Sequence, residues 1–255
     1  MNPPSVSIIT VVFNARGLLE GTMQSVFGQS WPHIEYIVVD GSSTDGTAEL
    51  IRSQGERISK WVSEPDKGLY DAMNKGLRMA TGDFVWFLNA GDRLFGPDVV
   101  EKIMAQCGPE TDVLYGEVML VDNERRHLGT RSELTAQKLP LRLHWKSLRL
   151  GMVVCHQAIL VRRSIAPFFI ENNLTADIDW VICALRSSRD TVHTGLLLAE
   201  YLQGGVSKQR HRRSLRDRYL VLKKHYGFLA NLVGHGWIMV RAVVHRLRRL
   251  GREHY

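Results

Sequence analysis

The chain has 255 residues, of which 44% are hydrophobic and 23% charged, as expected for one large globular domain or a domain with an appendage. Such fractions exclude disordered, collagen-like and multi-span membrane proteins. The three cysteines are widely spaced and form no CxxC pair, which excludes a disulfide scaffold and a cysteine-based zinc site and favours a reducing compartment. The first five residues carry no basic group ahead of the apolar stretch, so no signal peptide is expected.

The net charge of +7 is divided unevenly along the chain. Residues 208–255 contain 13 of the 33 Lys and Arg residues and only two acidic residues, which gives this segment a charge of +11. Residues 1–207 then carry a net charge of −4. The sequence therefore predicts a slightly acidic domain over 1–207, followed by a strongly basic tail over 208–255.

The first part of the domain alternates between apolar, β-branched runs and helical patterns. The runs predict strands at Val6–Val12, Ile34–Val39, Trp61-Val62 and Phe84–Leu88. Apolar residues at three- and four-residue spacings predict helices between them, over 18–27, 47–51 and 70–80. Strands that alternate with helices in this way are typical of a parallel α/β sheet with helices on its faces.

Polar residues follow three of these strands at the point where each strand ends: Asn14, then Asp40 to Asp45, then Asn89 to Asp92. In parallel α/β sheets, ligands bind beyond the carboxyl ends of the strands. The three clusters therefore predict one shared cleft lined by carboxylates and amides. In the second half, strands are expected over 113–121, 158–161 and 196–202 and a helix over 176–185, and this half is expected to form the other wall of the cleft.

Several well-known motifs are absent from the sequence. It has no GxGxxG after the first strand, no GxxxxGK[ST], no GxSxG and no HExxH. Their absence argues against a dinucleotide-binding domain, a P-loop enzyme, a serine hydrolase and a zinc protease. A cleft of carboxylates suits two chemistries, the metal-assisted handling of a diphosphate and the general-base activation of a hydroxyl.

Four motifs occur in an order and spacing that resemble a family 2 glycosyltransferase, in particular the small bacterial enzymes of colanic-acid-type exopolysaccharide assembly. They are SIITVVFN (Ser7–Asn14), IVVDGSSTDGT (Ile37–Thr47), SEPDKGLYDAMNKG (Ser63–Gly76) and ATGDFVWFLNAGD (Ala80–Asp92). HQAIL, ADIDW and GGVS extend the similarity to residue 207. The resemblance implies an α/β GT-A fold with a mostly parallel central sheet, a nucleotide-diphosphate sugar donor, a divalent cation (Mg²⁺ or Mn²⁺) and inversion at the anomeric carbon.

The resemblance also implies where the donor binds. Asp40 matches the acidic position that holds the nucleoside, and Phe13 matches an aromatic residue placed against the base. The second Asp of many members is Gly41 here, and the Arg that often precedes Asn74 is Met73. A helix-capping turn is the alternative role for Asp40 and for Asp45. The expected donor-binding residues are Phe13, Asn14, Asp40, Ser42, Asp45, Asn74, Asn89 and Asp92.

The metal motif of the resembled family is an Asp-rich tetrad, which is Asn89-Ala90-Gly91-Asp92 in this chain. Asp92 is its only carboxylate and is the expected metal ligand, with a plain Asn-Ala-Gly-Asp turn as the alternative. Mg²⁺ keeps several waters and binds through one or two carboxylates plus substrate phosphates, so weak metal binding is expected without nucleotide. His156 is the second expected ligand of the metal or the diphosphate, with a structural role as the alternative.

An inverting transfer needs a carboxylate that removes the proton of the acceptor hydroxyl. The resembled family carries it in a Glu-Asp pair that begins a late helix, and ADIDW matches that pair with Ala176 in place of the Glu. Asp177 is therefore the expected catalytic base and Asp179 the second choice. Asp177 also occupies a helix N-cap position, where backbone N–H groups would stabilise its charged form and weaken it as a base.

In the tail, apolar residues from Leu229 to Leu250 recur at helical spacing, with arginines on the opposite face. This pattern favours a helix that lies on an anionic membrane surface. The uncharged run over 226–240 has 15 residues, fewer than the roughly 20 that a spanning helix needs. The alternatives are a helix packed on the domain and nucleic-acid binding, and the lack of interleaved aromatics argues against the latter. Gln209-Arg210 could lie along the donor phosphates or begin the tail.

These expectations describe a cytoplasmic enzyme, peripheral on the inner face of the cell membrane. It would transfer a sugar to a lipid-linked saccharide acceptor in bacterial exopolysaccharide or surface-glycan synthesis, and no nucleic-acid partner is expected. Residues 1–112 would bind the donor and residues 113–207 would face the acceptor. A nucleotidyltransferase is one alternative, although the first loop offers only Arg16. A non-catalytic sugar- or nucleic-acid-binding protein with a degenerate metal motif is the other.

Overall fold

The computed structural model describes residues 3–204, 211–234 and 236, and these residues form an α/β fold around one sheet of nine strands. The strands are β1 (Val6–Val12), β2 (Ile34–Asp40), β3 (Lys60–Ser63), β4 (Phe84–Phe87), β5 (Arg93–Leu94), β6 (Thr111–Val121), β7 (His127–Thr130), β8 (Ile159–Arg162) and β9 (Asp190–Leu202). The α-helices are α1 (Arg16–Phe27), α2 (Thr47–Ser53), α3 (Leu69–Met79), α4 (Val99–Met104), α5 (Arg131–Leu134), α6 (Ala176–Ser187) and α7 (His211–Tyr226). Short 3₁₀ helices lie at Gly55–Arg57, Trp145–Leu150, His156–Ala158 and Arg163–Ile165.

The strand order in the sheet is β3-β2-β1-β4-β8-β6-β9-β5, and β7 pairs with β6. Strands β3, β2, β1 and β4 are parallel, as the alternation of strands and helices predicts. In the second half only β6 and β9 pair in parallel, so the sheet is mixed, which corrects the expectation of a mostly parallel sheet. An apolar run has the same pattern in either direction, and strand direction depends on connections that the pattern does not specify.

Strand β1 is buried along its whole length because helices cover both faces of the sheet. Its side chains alternate between two hydrophobic clusters. Ile9 and Val11 pack with residues of α3 and α6, whereas Ile8 and Val12 pack with residues of α1, α2 and α4. With both faces covered, the loops at the carboxyl ends of the parallel strands are the part of this sheet open to a ligand.

Helix α3 approaches the sheet closely at Gly76. A Cβ atom on Gly76 would lie 2.4 Å from Ile9 Cγ2 and 3.4 Å from Val39 Cγ2. Only glycine permits this distance between helix and sheet. Because α3 begins at Leu69, just after the carboxyl end of β3, the close packing brings its first turn beside the ends of β1 and β2.

The first part of the basic tail is packed on the domain. Val221 and Leu222 of α7 are 2% and 0% exposed and belong to the same hydrophobic cluster as residues of α6. Tyr226 stacks on Trp145 with ring centroids 5.6 Å apart. The boundary at 207/208 stays a prediction, but residues 211–226 share the core of the domain.

After Gly227, whose φ is 82°, residues 228–234 are helical again. The arginines of the predicted amphipathic stripe, from position 241 onward, lie outside the described residues. Over the ranges that the structure covers, no helix has the length and apolar content needed to cross a membrane.

Candidate active site

The loops that follow β1 and β2 are tied to each other at the carboxyl edge of the sheet. Asn14 has a φ of 46°, its Oδ1 accepts from the N–H of Thr44 at 2.9 Å, and its own N–H donates to Ser43 Oγ at 2.7 Å. The N–H of Arg16 donates to Asp45 Oδ2 at 3.0 Å and is the main reason why the pKa of Asp45 lies below its ordinary value. Asn14 and Asp45, two of the predicted donor-binding residues, therefore hold the two loops together.

Asp40 ends β2 and is fully buried. Its carboxylate accepts from the N–H of Ser43 at 3.1 Å and from Ser63 Oγ on β3 at 2.6 Å. Ser42, between Asp40 and Ser43, has a φ of 68°, so the backbone turns back over the carboxylate. The buried Asp40 thus stabilises the turn at which the resemblance puts the nucleoside.

Beside this turn, Gly41 leaves room for a carboxylate from another loop. A Cβ atom on Gly41 would lie 2.4 Å from Asp66 Oδ2 and 3.2 Å from Phe13 Cδ2. Asp66 and Phe13 both line a cleft, and Phe13 is 63% exposed there. The acid that many members of the resembled family carry at position 41 is thus matched in space by Asp66, to which the sequence analysis assigns no role.

Asn74 has a different position from the one expected. It is 2% exposed, its side-chain amide donates to the carbonyl of Phe169 at 2.9 Å, and its Oδ1 accepts from the N–H of Phe169 at 2.7 Å. Both ends of the amide are therefore used to join α3 to the segment before α6. The expected contact between Asn74 and the donor is not supported, because the amide holds the backbone of Phe169.

The cleft has a volume of ≈ 2160 Å³ and runs along the carboxyl edge of the parallel strands. Typical ligand pockets measure roughly 300 to 1,000 Å³, so this cleft has room for two substrates side by side. Five predicted site residues line it: Phe13, Asn89, Asp92, His156 and Asp177. The other six do not line it in the described structure: Asn14, Asp40, Ser42, Asp45, Asn74 and Asp179.

Asp92 lies in the wall of the cleft and is 5% exposed. Its Oδ1 accepts from the N–H of Leu202, at the end of β9, at 3.0 Å. Burial raises the pKa of Asp92 to about 7, although the Leu202 N–H, the positive charge of Arg125 and a hydrogen bond from Gln157 act in the opposite direction. A carboxylate desolvated in this way is stabilised by a nearby cation.

Two further atoms of the cleft suit a cation. Asn89 Oδ1 and His156 Nε2 are buried and have no hydrogen-bond partner among the described residues. Both residues line the cleft together with Asp92. Carboxylate and amide oxygens suit Mg²⁺ or Mn²⁺, and imidazole is a competent additional ligand. One carboxylate makes a weak site by itself, so these residues fit a cation that arrives together with a diphosphate.

His156 is 6% exposed and lies among aromatic rings. It stacks on Phe87 at a centroid distance of 5.3 Å and meets the rings of Phe169 and Trp180 edge-on at 5.5 and 5.4 Å. Burial lowers the pKa of His156 to about 4, so the ring is neutral at pH 7. A neutral imidazole with a free Nε2 suits both expected roles, metal ligand and packed structural side chain.

Asp177 is the second residue of α6 and lines the cleft. Its Oδ1 accepts from the N–H of Ile178 at 3.0 Å and lies 3.4 Å from the hydroxyl of Tyr70 on α3. Burial raises the pKa of Asp177 to about 6, although these two groups lower it. A carboxyl group with a pKa near neutrality is suited to act as a general base, because it is ionised at pH 7 and still accepts a proton.

Asp179 points away from the cleft. Its Oδ1 accepts from Lys224 Nζ at 2.8 Å and lies 2.7 Å from His225 Nε2, both on α7. Cys183 Sγ, one helical turn further on, lies 3.9 Å from Asp179 Oδ2. Asp179, Cys183 and His225 could together hold a metal ion, but the Lys224 ammonium already pairs with Asp179. Asp179 is thus an anchor for α7, which leaves Asp177 as the candidate base.

Several polar residues of the cleft have no role in the sequence-based expectations, among them Asp66, Tyr70, Arg131 and Tyr201. Asp66 and Tyr70 stand inside the quoted SEPDKGLYDAMNKG motif, which was a signal that could have found them. Arg131 donates to the carbonyls of Met152 and Val153, and its charge lowers the pKa of Asp177. No sequence pattern marks Arg131 or Tyr201, because each enters the cleft only through the folding of the second half.

Comparison with known proteins gives one family. The sequence model described as Glycosyl transferase family 2 matches residues 7–168. An uncharacterized glycosyltransferase of Mycobacterium tuberculosis, Rv1514c, is 31% identical over 250 residues, which are 93% of this chain and 91% of that protein. A PGL/p-HBAD biosynthesis glycosyltransferase of Mycobacterium bovis is also 31% identical, over 81% of this chain and 80% of its own length.

Two solved structures have a similar fold. Staphylococcus aureus TarS (residues 1–349), in complex with UDP-GlcNAc, superposes with a TM-score of 0.68 at 15% identity. The match covers 85% of this chain and 65% of that TarS chain, so this chain spans less than two thirds of its neighbour. The mannosyltransferase PcManGT from Pyrobaculum calidifontis, in complex with GDP-Man and Mn²⁺, gives a TM-score of 0.62 at 19% identity over 94% of this chain and 73% of that one. These neighbours confirm the expected GT-A fold.

Proposed function

The chain belongs to glycosyltransferase family 2, and from that premise we propose that its cleft transfers a sugar from a nucleoside diphosphate to a hydroxyl of a lipid-linked saccharide. One observation carries the proposal. The wall of a single large cleft contains two acids whose pKa values burial raises toward neutrality, Asp92 near the end of β4 and Asp177 at the start of α6. Acids perturbed in this way are typical of sites that bind cations or move protons.

The nucleoside end of the donor would lie against Phe13 and Asp66. Phe13 offers an exposed aromatic face, and the Asp66 carboxylate beside Gly41 can accept hydrogen bonds from a base or a ribose. Asp40, Asn14 and the turn at Ser42 support this end by holding the loops rather than by direct contact. UDP and GDP sugars are the first donors to try, because two structural neighbours are complexes with UDP-GlcNAc and GDP-Man.

The diphosphate would lie beside Asp92, with Asn89 Oδ1 and His156 Nε2 as further ligands of a divalent cation. The chemistry that such a cation would supply is neutralisation of the charge on the leaving diphosphate. Asp92 and Asn89 would hold that end of the donor in place, and the hydrogen bond from the N–H of Leu202 fixes the direction of the Asp92 carboxylate. Mn²⁺ is present with GDP-Man in the PcManGT complex, which supports a cation of this kind.

Asp177 would act as the general base. It would take the proton of the acceptor hydroxyl while that oxygen attacks the anomeric carbon, and the bond between this carbon and the diphosphate oxygen would break. A single displacement of this kind inverts the anomeric configuration. Tyr70 would direct the carboxylate through its hydroxyl, which lies 3.4 Å from Asp177 Oδ1.

The enzyme would meet its acceptor at a membrane surface, to which the end of the chain would bind. After α7 the chain exposes Leu229 and Val233, each by 75%, on the helical segment 228–234. The sequence continues with an apolar stripe and five arginines between positions 241 and 252. An apolar face flanked by basic residues suits the surface of an anionic membrane, at roughly 1 kcal/mol per basic residue near that surface. A peripheral enzyme at that surface would meet acceptors carried by lipids in exopolysaccharide or surface-glycan synthesis.

The donor site is tested by calorimetry with UDP and GDP, with and without Mn²⁺. Asp92→Ala should abolish the gain in nucleotide affinity that Mn²⁺ produces, because it removes the only carboxylate of the NAGD motif. The matched control is Asp112→Ala, which removes a carboxylate that is equally buried but lies outside the cleft. Unchanged Mn²⁺-dependent affinity in Asp92→Ala would remove Asp92 from this role, and wild-type protein that binds no nucleotide would refute the proposed donor class.

The membrane part is tested by co-sedimentation with phosphatidylglycerol and phosphatidylcholine vesicles. The wild type should prefer the anionic vesicles at low salt, and screening should reduce the preference as salt rises. Replacing Arg241, Arg246, Arg248, Arg249 and Arg252 with Gln should remove the preference while keeping the apolar stripe. Binding that ignores lipid charge and salt, or no binding at all, would contradict a peripheral basic helix.

A further inference from the structure

The backbone of Leu174, three residues before Asp177, is held through both its N–H and its carbonyl. Its N–H donates to Asp217 Oδ2 on α7 at 2.9 Å. Its carbonyl accepts from the hydroxyl of Tyr70 on α3 at 3.3 Å, and the same hydroxyl lies 3.4 Å from Asp177 Oδ1. One continuous set of contacts therefore joins the tail helix to the candidate base.

The preceding residues are also held by α7. Arg213 donates to the carbonyl of Asn172 at 3.2 Å and pairs with Asp217 at 3.7 Å, one helical turn away. Asn172 has a φ of 56°, in the left-handed region that Asn adopts more readily than other residues with a side chain. Both Arg213 and Asn172 line the cleft beside Asp177. The loop that leads into α6 is therefore hydrogen-bonded to α7 at Asn172 and at Leu174.

Asp217 is well suited to hold the N–H of Leu174 in place. It is 8% exposed, so water competes little for its carboxylate, and its bond to a backbone N–H is charge-assisted. The helix that carries it is fixed in turn, because Leu222 is fully buried and Asp179 binds Lys224 and His225 near the other end of α7. A change at Asp217 would thus loosen the 172–174 loop without releasing the helix.

We propose that Asp217 is a positioning residue for Asp177, so that the start of the basic tail is part of the active site. The inference rests on the proposed role of Asp177 as the base. Asp217 orders the backbone of Leu174 through its N–H. The carbonyl of Leu174 and the carboxylate of Asp177 share the Tyr70 hydroxyl, and the carboxylate is thereby directed at the acceptor. Small displacements of a reacting group are costly, since about 1 Å can reduce the rate on the order of 100-fold.

The experiment compares three variants of the full chain. Asp217→Ala removes the acceptor of the Leu174 N–H. Asp217→Asn keeps an oxygen that accepts it but removes the charge opposite Arg213. Asp112→Ala is the matched control, because Asp112 is 1% exposed, accepts from the N–H of Arg189 at 2.8 Å, pairs with Arg162 at 3.0 Å and lies outside the cleft.

The readouts are amide hydrogen exchange over residues 171–178, melting temperature, and the release of UDP or GDP from UDP-GlcNAc or GDP-mannose with Mn²⁺. We expect Asp217→Ala to lower kcat about 10- to 100-fold with the donor KM unchanged, and to speed exchange over 171–178. Asp217→Asn should keep most of the activity. Asp112→Ala should lower the melting temperature, but leave kcat and this exchange as in the wild type.

Equal losses of kcat in Asp217→Ala and Asp112→Ala would overturn the proposal, since they would reflect stability alone. The proposal would also be overturned if Asp217→Asn had as low a kcat as Asp217→Ala. It would likewise be overturned if Asp217→Ala showed faster exchange over 171–178 with unchanged turnover. A wild-type chain that releases neither nucleotide would refute the proposed function. Hydrogen exchange would then test the positioning contact without any activity. If Asp217→Ala exchanges over residues 171–178 at the same rate as the wild type, the positioning contact is refuted.

Discussion

Replacing Asp177 by Asn should inactivate the protein and at the same time stabilise it. Burial raises the pKa of Asp177 to about 6, against its ordinary value of 3.8, and outweighs the hydrogen bonds from the Ile178 N–H and the Tyr70 hydroxyl. The folded protein therefore holds an anion that would be more stable in the unfolded chain. Asn keeps the acceptor oxygen for both hydrogen bonds but carries no charge, so the substitution removes this cost together with the base.

The size of the effect follows from the two pKa values. Since one pKa unit corresponds to about 1.4 kcal/mol, ionisation of Asp177 costs the fold at most about 3 kcal/mol. The cost is absent below pH 3.8, where the carboxyl is protonated in both states, and it is complete above about pH 6. Asp177→Asn should therefore unfold at higher urea than the wild type near pH 8, and at the same urea concentration near pH 3.5.

Activity gives the second readout. If Asp177 is the base, wild-type turnover should fall about tenfold for each pH unit below about 6, because only the ionised carboxylate accepts a proton. Nucleoside diphosphate release would be measured from pH 5 to 8, alongside urea unfolding monitored by tryptophan fluorescence. Asp177→Asn should lose turnover at every pH while its donor affinity is retained. A variant that stays active, or that is less stable than the wild type at pH 8, would refute the assignment of a desolvated, ionised base.

Three further substitutions test the roles that the structure assigns. Asn74→Ala should lower the free energy of unfolding in urea by about 2–4 kcal/mol, because the N–H and the carbonyl of Phe169 lose their hydrogen-bond partners. The same variant should bind nucleotide as tightly as the wild type, and weaker binding would restore a donor role for Asn74. Gly76→Ala should cost about 1–3 kcal/mol, since its Cβ would clash with Ile9, and an equally stable variant would contradict the close approach of α3. Burial by itself raises the pKa of Asp179, but the bonds of this carboxylate to α7 bring the pKa below its ordinary value. Asp179→Asn should therefore have a lower melting temperature than the wild type at neutral pH, and the difference should vanish toward acid pH. A difference in melting temperature that is independent of pH would refute this ion pair.

Much of the donor half is determined by local sequence pattern. The predicted strand over Val6–Val12 agrees with β1, and the run that begins at Ile34 forms β2, one residue longer than expected. Apolar runs of this kind indicate strands that are buried on both faces of the sheet, and each strand must be followed by a turn. Because the strands are parallel, the polar turns that follow them lie at the same edge of the sheet, the carboxyl edge. That Asp92 lines the cleft was expected both from its place after a buried strand and from the resemblance of its motif, whereas the place of Asp177 was expected from the resemblance alone.

What the tertiary structure decided is which polar side chains have protein partners and which face the cleft. Asn74 and Phe169 are 95 residues apart, and no pattern near Asn74 shows that its amide is already used. Asp177 and Asp179 are two positions apart on one helix and therefore point in different directions, one to the cleft and one to α7. Hydrophobic periodicity reports the burial and direction of a side chain along its own helix or strand. The identity of the group it meets depends on how distant segments pack, and that is decided only when the whole chain has folded.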